Sequence, residues 1–437
     1  MKPHMFGAKE TIMLDIHTKE NFLAILKEEL IPAMGCTEPI ALAYAAAKGR
    51  EYLGADPDRI VAKCSGNIIK NVRCVSIPNS DGMHGIEAAV VLGAIGGDAS
   101  KEMEVLEAAT KEHIAKTNQL LEKGACRVDF LDSEIPLHFQ IEMHAGDENV
   151  VVEVKYSHLN VTRIEKNGEV VLTDDHMQEM LSKTPADRSA LSLEQIKAFA
   201  DEVDVREIKD LFEQQIRCNM DIAYEGISGD YGLGIGRVIR SAYADSTITR
   251  MKAYAAAASE ARMAGCNMPV IINSGSGNQG IASSVPVIVY ARENNVRQET
   301  LYRSLAFAGL LTIFQKEFIA KLSAFCGAGS ASCAAGAAIT YMKGGSIKQI
   351  RDTIDNTLAN IPGIICDGAK ISCAAKIASS VDAAMMAHHL AMEGHAYEAY
   401  TGILREEVEE TISCVGYIGK IGMRETDKEI VKLMLEK

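Results

Sequence analysis

Four segments of the chain repeat one design, a glycine-bearing polar loop that opens into a run of small residues, at 35–48, 274–291, 326–339 and 366–380. Helices built of Ala, Ser and Gly have little bulk, so their neighbours must pack closely for a core to form. The loop before each helix leaves backbone N–H groups free at the positive end of the helix dipole. If the four N-termini meet, they surround an anionic site with backbone donors. The absence of Trp and an aromatic content of 5% agree with closely packed helices.

Two of these loops carry four of the eleven cysteines. The first reads Phe325-Cys326-Gly327-Ala328-Gly329-Ser330-Ala331-Ser332-Cys333, and the second Ile365-Cys366-Asp367-Gly368-Ala369-Lys370-Ile371-Ser372-Cys373. Cys326 and Cys366 precede glycine loops, where free N–H groups favour a thiolate over a thiol. Cys373 follows Cys366 by about two helical turns and can look back toward the same point. Three converging thiolates suit a soft metal centre. Against that, no Cys-x-x-Cys pair of zinc type is present, and a buried cysteine is otherwise a small apolar residue. Cys333, inside the small-residue run, reads as a packed thiol.

With 437 residues the chain is long enough for two or three domains. A net charge of -14 argues against nucleic acid or an anionic membrane as partner. No signal peptide opens the chain, and no apolar run reaches the ~18 residues of a membrane span. An odd number of cysteines without secretory features suggests free or metal-bound thiols in a reducing compartment, so a cytoplasmic location is expected.

Residues 18–30 carry a helical apolar stripe that stops before Pro32. Met34-Gly35-Cys36-Thr37-Glu38-Pro39 then leads into a run from Ile40 to Tyr52. Thr37 is a good N-cap, with Glu38 and Pro39 suited to the first turn, so Cys36 stands just outside a helix N-terminus, where a thiol pKa falls. Segments 60–64 and 72–77 read as strands, 83–96 and 100–123 as helices, and 126–131, 136–144, 149–156 and 159–172 as strands, with Asn167-Gly168 as a hairpin turn. His138, His144 and His158 lie at no metal-ligand spacing and read as surface or cross-strand residues. The remainder is helical, with runs at 193–223, 237–263, 376–392 and 418–435. The loop Asn273-Ser274-Gly275-Ser276-Gly277-Asn278-Gln279-Gly280 can form an anion nest before a helix. The expected fold is α+β, a mainly helical catalytic body with a smaller mixed α/β-sheet domain. Residues 1–54 are expected to pack on the helical body, 55–175 to form the α+β domain and 176–437 the helical domain, with the site between them.

In combination, Gly35-Cys36-Thr37-Glu38-Pro39, Asn67-x-x-Lys70-Asn71, Ser274 to Gly280 and the set Cys326, Cys366, Cys373 resemble the L-cysteine desulfidase family, related through its helical part to the iron–sulfur L-serine dehydratase alpha domain. The resemblance covers nearly the whole chain. It implies a [4Fe-4S] cluster on Cys326, Cys366 and Cys373 with one iron open, and Cys36 as the base. Lys70 is the other catalytic candidate it suggests, while Thr37, Glu38, Asn67, Ser274, Ser276, Asn278 and Gln279 are expected to bind a small amino-acid substrate. Intervals of 40 and then seven residues between the cysteines fit the desulfidase better than the serine enzymes, whose second interval is longer. A homodimer is the assembly implied.

Elimination of sulfide or water from an amino acid needs a base for the α-proton, a Lewis acid for the leaving group and an anion site for the carboxylate. The residues above can supply each, and nothing demands pyridoxal phosphate. The expected activity is that of a carbon–sulfur lyase giving pyruvate, ammonia and sulfide from L-cysteine. L-serine or another β-substituted amino acid is the alternative substrate. A non-catalytic metal-binding or redox-sensing protein is the alternative of a different class.

Overall fold

The computed structural model describes residues 14–34, 37–133, 135, 137–173, 186–319 and 324–436. Helix α1 (Ile16–Glu29) is capped by Asp15, whose carboxylate accepts from the Thr18 N–H, and it buries Phe22, Leu23, Ile25 and Leu26 as its stripe predicts. Helix α2 (Thr37–Leu53) begins at Thr37 itself, one position further in than the expected cap.

Six strands form the main sheet: β2 (Arg59–Cys64), β3 (Cys126–Phe130), β4 (His138–Ala145), β5 (Glu148–Lys155), β6 (Val161–Lys166) and β7 (Glu169–Thr173). Their order is β3-β2-β4-β5-β6-β7, with β2 parallel to β3 and every other pair antiparallel. Register aligns Ala62 with Ile141, Ile141 with Val152 and Val152 with Ile164, so one apolar row runs across four strands. That face packs on α2 and α4 (Gly85–Gly96). The other face is polar, as period-two alternation requires: His138 and Gln140 both reach Glu153 across strands, at 3.1 and 2.7 Å. Asn167 and Gly168 both take positive φ, the condition for the tight hairpin between β6 and β7.

Two sequence expectations fail here. Residues 66–72 form helix α3 (Gly66–Val72), because Ile68, Ile69 and Val72 share its buried side, and the expected strand at 72–77 is a turn held by the single bridge Ser76–His84. The expected helix at 100–123 divides into a 3-10 turn at Ala99–Glu104 and α5 (Lys111–Glu122), since the Thr110 hydroxyl and His113 form a capping box that starts a new helix.

The helical part comprises α6 (Leu193–Glu202), α7 (Val205–Ser228), α8 (Ile235–Ala242), α9 (Thr247–Met263), α10 (Gly277–Glu293), α11 (Gln298–Phe318), α12 (Ala328–Met342), α13 (Ile347–Asn360), α14 (Cys373–Met392), α15 (Val408–Tyr417), a π turn (Ile418–Gly422) and α16 (Arg424–Leu435). The Ala-rich α9 is buried on nearly all sides, between α7, α8, α10 and α14. A Cβ on Gly226 of α7 would stand 2.2 Å from the Ala257 carbonyl oxygen, which shows how closely these helices approach. Strand β8 (Pro269–Ile271) pairs antiparallel with β1 (Pro32–Met34), a link invisible in the local sequence. No helix among the described residues is long and apolar enough to cross a membrane.

The two main cores do not follow the expected chain boundaries. Helix α2 lies in the sheet core through Ile40, Leu42 and Leu53, not on the helical body. Val431, near the C-terminus, joins that same core, although α15 just before it packs in the helical one. The chain therefore returns to the sheet in its last residues.

Asp355 on α13 tests the energetics of the helical core. Burial raises its pKa from the ordinary value of 3.8 to about 6, with a Thr411 hydrogen bond opposing and the Asp352 charge adding. The folded state thus holds a proton that the unfolded state releases, and stability falls as pH rises from about 4 to 6. Asp355→Asn should raise stability by up to about 3 kcal/mol above pH 6 and by close to nothing at pH 4, read from urea midpoints at the two pH values.

Candidate active site

Phe325 and Ile365 form an isolated antiparallel bridge between the two cysteine loops. On either side of it the Cys326 N–H donates to the Ile364 carbonyl at 2.7 Å, and the Cys366 N–H donates to the Ala324 carbonyl at 2.6 Å. Main-chain pairing therefore sets Cys326 beside Cys366, and the two thiols hydrogen-bond. Cys373 is the first residue of α14, its thiol 3.8 Å from the Gly368 carbonyl oxygen that accepts from it. Both loop thiols lie within reach of its charge. It packs with Met263 of α9 and with Val75, which follows α3, so the helical body and the sheet region meet at this cysteine.

The thiols differ in charge. The hydrogen bond from Cys326 lowers the Cys366 pKa to about 5 against the opposing effect of burial, helped by Lys70, the Gly368 N–H and Lys376. The same hydrogen bond, with burial, pushes Cys326 well above the ordinary thiol range. Burial also raises Cys373. Cys366 is the thiolate of the set at neutral pH. Lys316, only 6% exposed, faces both Cys326 and Cys366, and burial pulls its pKa down. Lys376 donates to the Ile365 carbonyl at 2.8 Å and to Asp367 at 2.6 Å, and Lys370 reaches the same Asp367 carboxylate at 2.5 Å. Among the described residues, no three His, Cys, Asp or Glu side chains converge as a single metal ion would need. The three cysteines are linked by the effect of each on its neighbours' charge.

The second loop is locked against α3. Gly368 adopts φ +98, and a Cβ there would lie 2.1 Å from the Lys70 carbonyl oxygen, so only glycine fits. The buried Lys70 ammonium is paired with Asp427 of α16. Next along α3, the Asn71 amide donates to Glu38 at 3.1 Å. On the other side, a Cβ at Gly327 would stand 2.4 Å from the Gln279 side chain, so the 274–280 loop abuts Cys326. The Gln279 amide oxygen is buried without a hydrogen-bond partner among the described residues. Parts of all four loop-and-helix segments are thereby linked in one chain of contacts.

The profile of the serine dehydratase alpha chain family matches residues 100–432. The chain belongs to this family. Full-length similarity extends to proteins bearing the label UPF0597 protein. One from Lachnoclostridium phytofermentans is 46% identical, covering 95% of this chain and 99% of the relative. One from Treponema denticola is 44% identical, covering 97% and 99%. One from Bacteroides fragilis is 37% identical over 96% and 98%.

In this family member the other expected residues take varied places. Asn67 stands half-buried in the first turn of α3. Ser274 turns its hydroxyl to Asn273 at 2.8 Å, and Ser276 caps α10 by accepting from the Gln279 N–H. Asn278 faces α9, accepting from Ser259 at 3.0 Å and reaching the Met263 sulfur at 3.7 Å, so it supports the loop. Cys36 lies outside the described residues. Cys333 is fully buried in the helical core, its pKa raised to about 12 by burial. Sequence reasoning missed Lys316, Lys376, Asp367 and Asp427. Asp367 and Lys376 adjoin the cysteines in sequence and could have been found, whereas Asp427 lies 357 residues from Lys70.

Gly368→Ala measures how far the site depends on this contact. Gly394 has a similar φ of +83 with no atom within 4 Å of an added Cβ, so Gly394→Ala carries the backbone strain alone, on the order of 1–3 kcal/mol. Gly368→Ala should lower the melting temperature further than Gly394→Ala does.

Proposed function

We propose that this chain catalyses iron–sulfur-dependent β-elimination from L-cysteine, giving pyruvate, ammonia and sulfide. The observation that carries this reading is the pairing of Cys326 with Cys366 beside Cys373, with Lys70, Lys316 and Lys376 set around them. The set fits a [4Fe-4S] cluster: three thiols compatible with different irons, cations to offset the negative charge of cluster and thiolates, and a buried unpartnered amide oxygen next to the Cys326 loop. When bound, the cluster supplies a Lewis acid for the departing group. Cys36 takes the α-proton. The Ser274–Gly277 turn and the α10 N-terminus offer N–H donors to the carboxylate, and the Gln279 oxygen accepts from the ammonium. A cytoplasmic, dimeric enzyme is the setting we expect.

A second reading, L-serine as substrate, is favoured by the family match itself. The two differ by a single side-chain atom, which a few contacts around the β-carbon decide. Turnover of L-cysteine and L-serine by anaerobically reconstituted protein distinguishes them, with faster release of pyruvate from L-cysteine expected. Neither substrate turning over would refute both readings.

Cys326→Ala, Cys366→Ala and Cys373→Ala should each lose iron, sulfide and activity, whereas Cys333→Ala should keep all three. Equal iron loss at Cys333 would overturn the ligand assignment. Cys36→Ser should retain iron and substrate binding while kcat falls about 10²–10⁴-fold, as loss of a positioned base does. Iron loss in that variant would make Cys36 a ligand.

A further inference from the structure

A second pair of opposite charges stands apart from the cysteine loops, on the wall of a cavity of about 320 Å³ lined by residues of α8, α9, α14 and the end of α13. That volume lies at the lower end of the range for small-molecule sites. Lys252 of α9 is only 9% exposed, and its ammonium donates to Asp382 of α14 at 2.8 Å. The ring of Tyr243, just past α8, covers the same ammonium with its centroid 4.6 Å away. Asp382 is half-exposed, so the positive member of the pair is sunk in the wall while the negative one stays open to solvent. Helix α13 ends at Asn360, also on the wall, and the negative end of its dipole adds to the Asp382 charge. Ile239, Ile361 and Met386 supply apolar lining, and Met386 and Tyr243 are each more than half exposed. An anion alone would meet Asp382 here, and a cation alone would meet Lys252. A free α-amino acid carries both charges on one carbon, so its carboxylate can lie on Lys252 and its ammonium on Asp382 and the α13 end. Among the described residues Asp382 is the hydrogen-bond partner of Lys252, so donors of the ammonium remain for a ligand carboxylate.

We propose that this cavity is a second ligand site, taking a free α-amino acid with an apolar side chain of about leucine size, and that its occupation steadies the second cysteine loop. Binding there does not depend on the elimination reaction. The loop begins at the cavity: Ile361 on the wall is followed by Gly363, where a Cβ would stand 2.5 Å from the Phe325 ring, and by Ile364, whose carbonyl accepts from the Cys326 N–H. A ligand that holds Ile361 therefore holds the segment entering the bridge between Phe325 and Ile365. Helix α14 is the other link, since it carries Asp382 about 14 Å along its axis from Cys373. At the far end of α9 from Lys252, Met263 packs with that same cysteine. The cavity is thus separate from the cysteines yet joined to them by two packed helices and one short segment.

The test uses the full chain and titrates it calorimetrically with L-leucine, and with isocaproate and isoamylamine, which keep the side chain and each lack one of the two charges. L-Leucine should bind with a Kd at or below about 1 mM, and each single-charge analogue about tenfold more weakly or worse. Lys252→Met removes the ammonium at nearly constant bulk and should weaken leucine binding about tenfold or more. Ser379→Leu, at an exposed position on the cavity wall, fills the space without touching the ion pair, and should abolish binding with the melting temperature unchanged. In the parent, bound leucine should slow amide hydrogen exchange between Ile361 and Cys366 about fivefold or more. Absence of binding at about 10 mM leucine would overturn the proposal. So would binding that Ser379→Leu leaves intact, which would put leucine elsewhere, the substrate site included, or isocaproate binding as tightly as leucine. Exchange between Ile361 and Cys366 unmoved by bound leucine would overturn the link to the cysteine loop. Should Lys252→Met fail to fold, Ser379→Leu and the two analogues decide the matter.

Discussion

The main-chain pairing of Phe325 with Ile365 is the constraint on which the rest of the site depends. It places Cys326 and Cys366 side by side through two backbone hydrogen bonds, independent of the side chains that follow. A backbone ladder holds position more firmly than a pair of flexible side chains, because its donors and acceptors are fixed by φ and ψ. The second loop then reaches Lys70 through Gly368, and Cys373 is carried in on the first residue of α14.

Charge is arranged around this pairing. Burial would ordinarily keep thiols neutral. Here the hydrogen bonds from Cys326 and from the Gly368 N–H, with the nearby lysines, make Cys366 the exception. Holding lysines in the same buried region also has a cost, seen in the lowered pKa of Lys316. Asp427 offsets that cost for Lys70, and Asp367 does so for Lys370 and Lys376. Thiols and lysines that would each be unfavourable alone become compatible when buried together.

The C-terminal segment joins the two cores. Helix α15 packs in the helical core through Val408, Ile412 and Val415, the π turn passes Phe325 at Gly419, and α16 sets Val431 against Gly66 in the sheet core. Asp427 lies on that path. Local π geometry next to a functional loop is a recurrent feature of helices. Its effect here is to turn the chain from one core to the other beside the cysteine bridge.

The sequence by itself determined much of this. Period-two alternation marked β4 to β6, Asn167-Gly168 marked the hairpin from β6 to β7, and Gly/polar loops before small-residue runs marked the helices that meet at the cysteines. These signals are local, because side-chain periodicity and glycine dihedrals act within a few residues. The α+β class was readable for that reason, as was Cys333 as a packed thiol. Only the tertiary structure decided which elements share a core. It moved α2 and Val431 to the sheet and turned 66–72 into a helix. It also paired Lys70 with Asp427. Each of these rests on contacts between residues far apart in the chain, and no local propensity encodes which distant partner a buried lysine, histidine or valine will meet.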